Sequence, residues 1–181
     1  ACVVKHRRTC DAENIAQLFL REGKTAASIH QFMLENNPCI EGDRVRAYIK
    51  CPQEKSNAFH RLAVLKDMIL CKPVVSGDQT FIYEQFPDFV AVYIDDIDSL
   101  GHNNDYEKYP RRREFSQRQQ DILERLNLIG QELLGILQCC EDTGLYEKLT
   151  ILITTDHGMT PFWGQSRLPD IIRRLNQAGI A

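Results

Sequence analysis

The chain has 181 residues, 43% of them hydrophobic, enough for one domain with a real core and too apolar for a disordered tail. Its 22 basic and 25 acidic residues are well mixed and sum to a formal charge of -3, which leaves no electrostatic footprint for nucleic acid or an acidic membrane surface. No run approaches the roughly 18 consecutive apolar residues of a membrane span, and nothing after Ala1 reads as a signal peptide.

Asp11 as N-cap, Ile15, Leu18 and Phe19 on one face, and Gly23 as C-cap predict a helix over Asp11 to Glu22. Lys24 to Ile29 reads as a strand. Asn36 to Pro52, punctuated by Pro38, Gly42 and Pro52, reads as an irregular excursion around a strand at Val45 to Ile49. Phe59, Leu62, Ala63, Leu65, Ile69 and Leu70 share a helical face over Ser56 to Leu70, and Lys72 to Gln79 reads as loop. The near-continuous apolar run Asp88 to Ile94 suits a strand buried on both faces of a parallel sheet, with Asp95 to His102 beyond its end. Asn103 to Arg113 is polar and turn-rich, and Arg111-Arg112-Arg113 reads as a solvated helix start.

Ile122, Leu126, Ile129, Leu133, Ile136 or Leu137, and Cys140 recur at three- and four-residue spacing and predict a long amphipathic helix ending near Gly144, with Cys139 and Cys140 as packed thiols. Leu149 to Thr155 is the second buried strand, followed by Asp156-His157-Gly158-Met159, and Leu168 to Ala178 a last helix capped by Gly179. The expected fold class is α/β: a mostly parallel sheet with helices on both faces, in which the long helix is a right-handed crossover joining the two motif strands. Residues 1–181 read as one partial domain, cut in the middle of an αβ alternation and so truncated at both ends. The seven cysteines are odd in number and form no C-x-x-C pair, which points to reduced thiols and a cytoplasmic setting.

Both apolar runs break at their C-terminal ends into carboxylate and imidazole, and ligands in open α/β sheets gather beyond the C-terminal ends of strands. Asp98 and His102, four residues apart with Gly101 between, suit Zn²⁺ or another divalent ion. Asp156 and His157 are neighbours that share an ion only if the chain bends there, which Gly158 permits. Alone, the first pair is as readily a solvated loop and the second an ordinary capped turn; together, at the ends of two buried strands, they point to metal ligation. Two adjacent divalent ions serve displacement at phosphorus, by clamping the attacking and leaving oxygens.

Ser99, Thr154, Thr155 and Thr160 lie near the motifs, but none has the strand-to-helix setting of an activated hydroxyl, so no nucleophile is assigned. Asp95 and Asp96 read either as carboxylates supporting the ligands or as a polar strand end. Phe162 and Trp163 read either as a stacking pair for a base or sugar or as packing under a loop. Gly23-Lys24-Thr25 imitates the end of a phosphate-binding loop, but Leu18 stands where that loop needs Gly. His6, His30 and His60 have no partner at ligand spacing and read as structural or exposed.

Pro87-Asp88-Phe89 leading into Tyr93, then Asp98-x-x-Gly101-His102, about fifty residues with a long helix, and Thr155-Asp156-His157-Gly158-Met159 resemble the type I phosphodiesterase/nucleotide pyrophosphatase family of the alkaline phosphatase superfamily. Upstream, Ile15 to Phe19 and Gly23 to Ala27 are similar to the helix and strand that follow the family's nucleophile segment. The resemblance implies an alkaline phosphatase-like core and a phosphoric-ester hydrolase with two divalent metal ions, most simply Zn²⁺. Asp98 and His102 would hold one ion, and Asp156 and His157 the other. It implies a small phosphodiester or nucleotide as substrate, and attack by a Thr or Ser hydroxyl that gives a covalent intermediate. The family's first Asp, its nucleophile and its third His have no counterpart here, so activity is expected of a larger parent enzyme. The alternatives are a catalytically inactive metal-binding or interaction fragment, or another activity of the superfamily: phosphomutase, sulfatase or phosphoethanolamine transferase.

Overall fold

A computed structural model describes residues 13–31, 47–49, 51, 57–103, 109, 111–160 and 167–180. Asp11, Val45, His6, Phe162 and Trp163 lie outside them. Helix α1 (Ile15–Arg21) begins at Asn14, whose side chain accepts from Gln17 N at 3.0 Å while Gln17 Oε1 accepts from Asn14 N at 3.0 Å, a reciprocal capping box. Strand β1 (Ala26–Ile29) follows, then β2 (Ala47–Ile49), and helix α2 (Ala58–Ile69), whose N-cap Asn57 accepts from His60 N at 3.0 Å. Strands β3 (Val74–Ser76) and β4 (Gln79–Phe81) form a hairpin, and β5 (Phe89–Val92) leads into helix α3 (Asp96–His102). Helix α4 (Phe115–Asp142), a 3₁₀ turn at Tyr146–Lys148 and helix α5 (Leu168–Gln177) complete the described chain.

β2, β1 and β5 form a parallel sheet in that order, in register Ala27 with Ala47 and Ala27 with Val90. Successive side chains of a strand point to opposite faces, and β1 shows it. Ala26 packs with Phe89, Ala91, Ala16 and Leu20 beneath α1, whereas Ala27 and Ile29 pack with Val90, Val92, Val64 and Met68 beneath α2. All four β1 side chains are buried, as a parallel strand covered on both sides requires. α2 is a middle layer: Val64 and Met68 meet the sheet, while Ala58, Leu62 and Ile69 meet Ile129, Ile136, Cys139 and Cys140 of α4. Cys139 and Cys140 are thus packed thiols, 6% and 1% exposed.

Three expectations are corrected. Lys72 to Gln79 is not simply loop, because Gly77, at φ +60°, and Asp78 turn the chain between β3 and β4. A Gly-Asp pair flanked by β-formers is a two-residue hairpin signal. The stretch after β5 is helical, so Asp98 and His102 stand at i and i+4 on one helix face. Leu149 to Thr155 is not a strand: the segment joins no ladder among the described residues, and Ile151, Leu152 and Ile153 are 49%, 85% and 74% exposed. An apolar β-branched run favours a strand only where a neighbour supplies hydrogen bonds and a face to pack on, and among the described residues β5 remains the sheet edge. α4 therefore does not join two paired strands. No helix among the described residues is long and apolar enough to cross a membrane.

Candidate metal centre

The turn from β5 into α3 is set by a buried cation. Arg61, 0% exposed on α2, donates from Nη1 to the Tyr93 carbonyl at 2.6 Å, and its Nη2 lies 3.1 Å from Asp95 Oδ1. At the other end of α3, Asn103 adopts φ +52° and brackets Arg112, accepting from its N–H at 2.7 Å and donating to its carbonyl at 2.8 Å. Arg112 is further tied to Asp121 of α4 at 2.6 Å, and Arg118 donates to the Gly101 carbonyl at 3.2 Å. Within the basic triplet, Arg112 is thus a structural brace, while Arg111 and Arg113 are exposed.

The one-turn spacing on α3 brings His102 Nε2 to 3.5 Å from Asp98 Oδ2. The second motif arrives from outside the sheet. Thr155 Oγ1 donates to the His157 carbonyl at 2.8 Å and the His157 N–H to Asp156 Oδ1 at 3.0 Å, which bends the chain at Asp156. Asp156 and His157 then face the same place, with His157 Nε2 lying 3.7 Å from Asp156 Oδ2 and 3.9 Å from Asp98 Oδ1. Asp98 is therefore flanked by both imidazoles. Met159 packs against Gly101 so closely that a Cβ on Gly101 would overlap its Sδ. The two motifs, 54 residues apart from His102 to Asp156, meet through Asp98 and Gly101 on one side and His157 and Met159 on the other.

The electrostatics of the cluster are acidic. The phenol of Tyr93 is raised above its ordinary value first by burial and then by the carboxylates of Asp95, Asp98 and Asp156. The His157 imidazole is raised first by the Gly158 carbonyl, 2.9 Å from Nδ1, and then by Asp156, while Asp98 adds to the shift. In the neutral imidazole a proton on Nδ1, donated to that carbonyl, leaves the lone pair on Nε2, on the side of Asp98 and Asp156, the tautomer a metal-binding histidine needs. Asp98 Oδ1 is buried and accepts no hydrogen bond among the described residues. Two carboxylates, two imidazoles and a buried acceptor without a donor fit a divalent cation in donor type. In number they supply two protein ligands per ion at most. Among the described residues, no three His, Cys, Asp or Glu side chains form a group that could hold an ion.

The hydroxyls of Ser99, Thr154 and Thr155 are engaged or buried, while Thr160 is exposed. Ser99 is 6% exposed within α3, and Thr154 Oγ1 donates to the Thr155 carbonyl at 3.3 Å. Three neighbours of the cluster were not legible as such: Arg61, Tyr93 as the phenol among the carboxylates, and Met159. Arg61 does leave a sequence trace, because it sits inside the buried helical stripe of Ala58, Leu62, Leu65 and Ile69, where a charge signals a partner.

Comparison with curated proteins and with solved structures returns no match. Residues 23–178 match the family described as type I phosphodiesterase / nucleotide pyrophosphatase, a span that takes in β1, β5, both motifs and α5. The chain belongs to the type I phosphodiesterase/nucleotide pyrophosphatase family.

Proposed function

We propose that the protein is a metal-dependent phosphoric-ester hydrolase acting on a small phosphodiester or nucleotide, with Asp98 and His102 holding one divalent ion and Asp156 and His157 another, Zn²⁺ being the ion their donors suit best. The observation that carries this reading is the position of the Asp98 carboxylate between the imidazoles of His102 and His157. Such ions, when bound, neutralise charge developing on the phosphoryl oxygens. The chain's own contribution is to hold and orient. α3 presents two donors on one face, the bend at Asp156 presents two more, and the Gly158 carbonyl keeps Nε2 of His157 free to ligate. The carboxylates around Tyr93 make the cluster attractive to cations before any substrate arrives.

Family membership supports the hydrolytic reading. The free thiols of Cys51, Cys71, Cys139 and Cys140 fit a reducing, cytoplasmic compartment. The test is hydrolysis of bis(p-nitrophenyl) phosphate by the full-length protein, expected to be abolished by EDTA, restored by Zn²⁺ and reduced about 100- to 1000-fold by His157→Ala. Turnover that survives both EDTA and His157→Ala would remove the metal-dependent reading.

A further inference from the structure

The carboxylate that opens α3 is held from three sides by groups that the hydrolase reading does not use. Asp96 is fully buried. Its Oδ1 accepts from the backbone N–H of Ala58, the first residue of α2, at 2.9 Å. Its Oδ2 accepts from the Tyr109 hydroxyl at 2.6 Å and from Arg125 Nη1 of α4 at 3.3 Å. The Arg125 guanidinium is itself sandwiched, 5.0 Å from the Phe59 ring centroid and 4.9 Å from that of Tyr109. One carboxylate thus ties the start of α3 to the start of α2, to the segment after α3 and to the middle of α4.

A buried ion pair is a poor device for stability. Desolvation offsets most of the attraction, and apolar residues of similar volume often do as well. What it supplies is direction, because each donor meets the carboxylate at a defined angle. α3 is only seven residues long and has no side-chain cap of its own, so its rotation about its axis must be set by its neighbours. Asp96 precedes Asp98 by two residues and His102 by six, and any rotation of α3 swings both. We propose that Asp96, clamped by Ala58, Tyr109 and Arg125, is a positioning residue that sets the direction in which Asp98 and His102 face Asp156 and His157. This rests on the metal-binding reading above.

The test uses the full-length protein with two variants. Asp96→Leu combined with Arg125→Met replaces the ion pair by apolar groups, and Tyr109→Phe removes one donor while keeping the ring over Arg125. Three quantities are measured: the melting temperature, amide hydrogen exchange of residues 96–102 without ions, and Zn²⁺ affinity by titration calorimetry. The expected result is a lowered melting temperature in the double variant, whose Ala58 N–H and Tyr109 hydroxyl lose their acceptor, with faster exchange in α3 and Zn²⁺ affinity lower by about 10- to 100-fold, and a smaller loss of both in Tyr109→Phe. Wild-type exchange and wild-type affinity in a folded double variant overturn the proposal. If that variant does not fold, unchanged exchange and affinity in Tyr109→Phe overturn it. If the wild type itself binds no Zn²⁺, the metal-binding reading falls instead; faster exchange in α3 of the variants then still supports the clamp, and unchanged exchange overturns it.

Discussion

Single residues decide how the two motifs meet. Gly101 in the D-x-x-G-H motif serves less as a flexible joint than as a missing side chain, since Met159 occupies the place of its Cβ. Gly101→Ala gains about 1 kcal/mol of helix propensity and loses a similar amount to repacking. Met159 is unbranched and 43% exposed, so it can yield. The expected outcome is a melting temperature near wild type with weakened Zn²⁺ binding, read by thermal unfolding and calorimetry on the same sample. At the opposite end of β5, Asp88 Oδ2 accepts from the Thr25 N–H at 2.8 Å and from Thr25 Oγ1 at 2.9 Å. These bonds, the backbone one first, hold its carboxyl below its ordinary value. A carboxylate whose folded value lies below its unfolded value adds stability above the unfolded value, about pH 4, and loses it as pH falls through the folded value. Asp88→Asn should therefore flatten the loss of stability on acidification below about pH 4, as followed by denaturant unfolding at a series of pH values; an unchanged acid limb would contradict the assignment.

At the scale of elements, the helices are the part most readable in advance. Their periodic apolar faces and caps are local, and α1, α2, α4 and α5 stand within a few residues of where spacing predicts them. Asn57→Ala, which removes the acceptor for His60 N at the start of α2, should cost about 1 kcal/mol, measured by denaturant unfolding. Strands were less legible, because an apolar run states only that it can be covered. Asp88 to Ile94 finds β1 as a partner, whereas Leu149 to Thr155, also rich in strand-forming residues, finds none among the described residues. The β3–β4 hairpin carries a usable signal in Gly77-Asp78. α3 was hidden because its sequence, Asp-Ile-Asp-Ser-Leu-Gly-His, is short, polar and contains Gly, all of which weigh against a helix. Contacts at both of its ends outweigh that weak propensity.

Across the whole molecule the stack runs from α1 through the sheet and α2 to α4, and α2 carries most of the burden because it is covered on two sides. Leu62→Ala, at a site 2% exposed between α2 and α4, should cost about 2–5 kcal/mol, with the melting temperature falling accordingly. By itself the sequence determined what depends on residue type and short spacing: the α/β alternation, the helical faces, the two carboxylate–histidine motifs and their family. Asp98 and His102 four residues apart, and Asp156 beside His157, were visible as candidate donors because ligand chemistry is a property of side chains. Tertiary structure alone decided which donors share a place. It decided that Asp98 stands between the two imidazoles, that Arg61 is buried against the Tyr93 turn, and that Asp96 faces Arg125. Apart from Asp98 with His102, those pairings join residues 29 to 59 positions apart. They arise from how helices stack over a sheet, a balance of burial and desolvation summed over the chain that no local window contains.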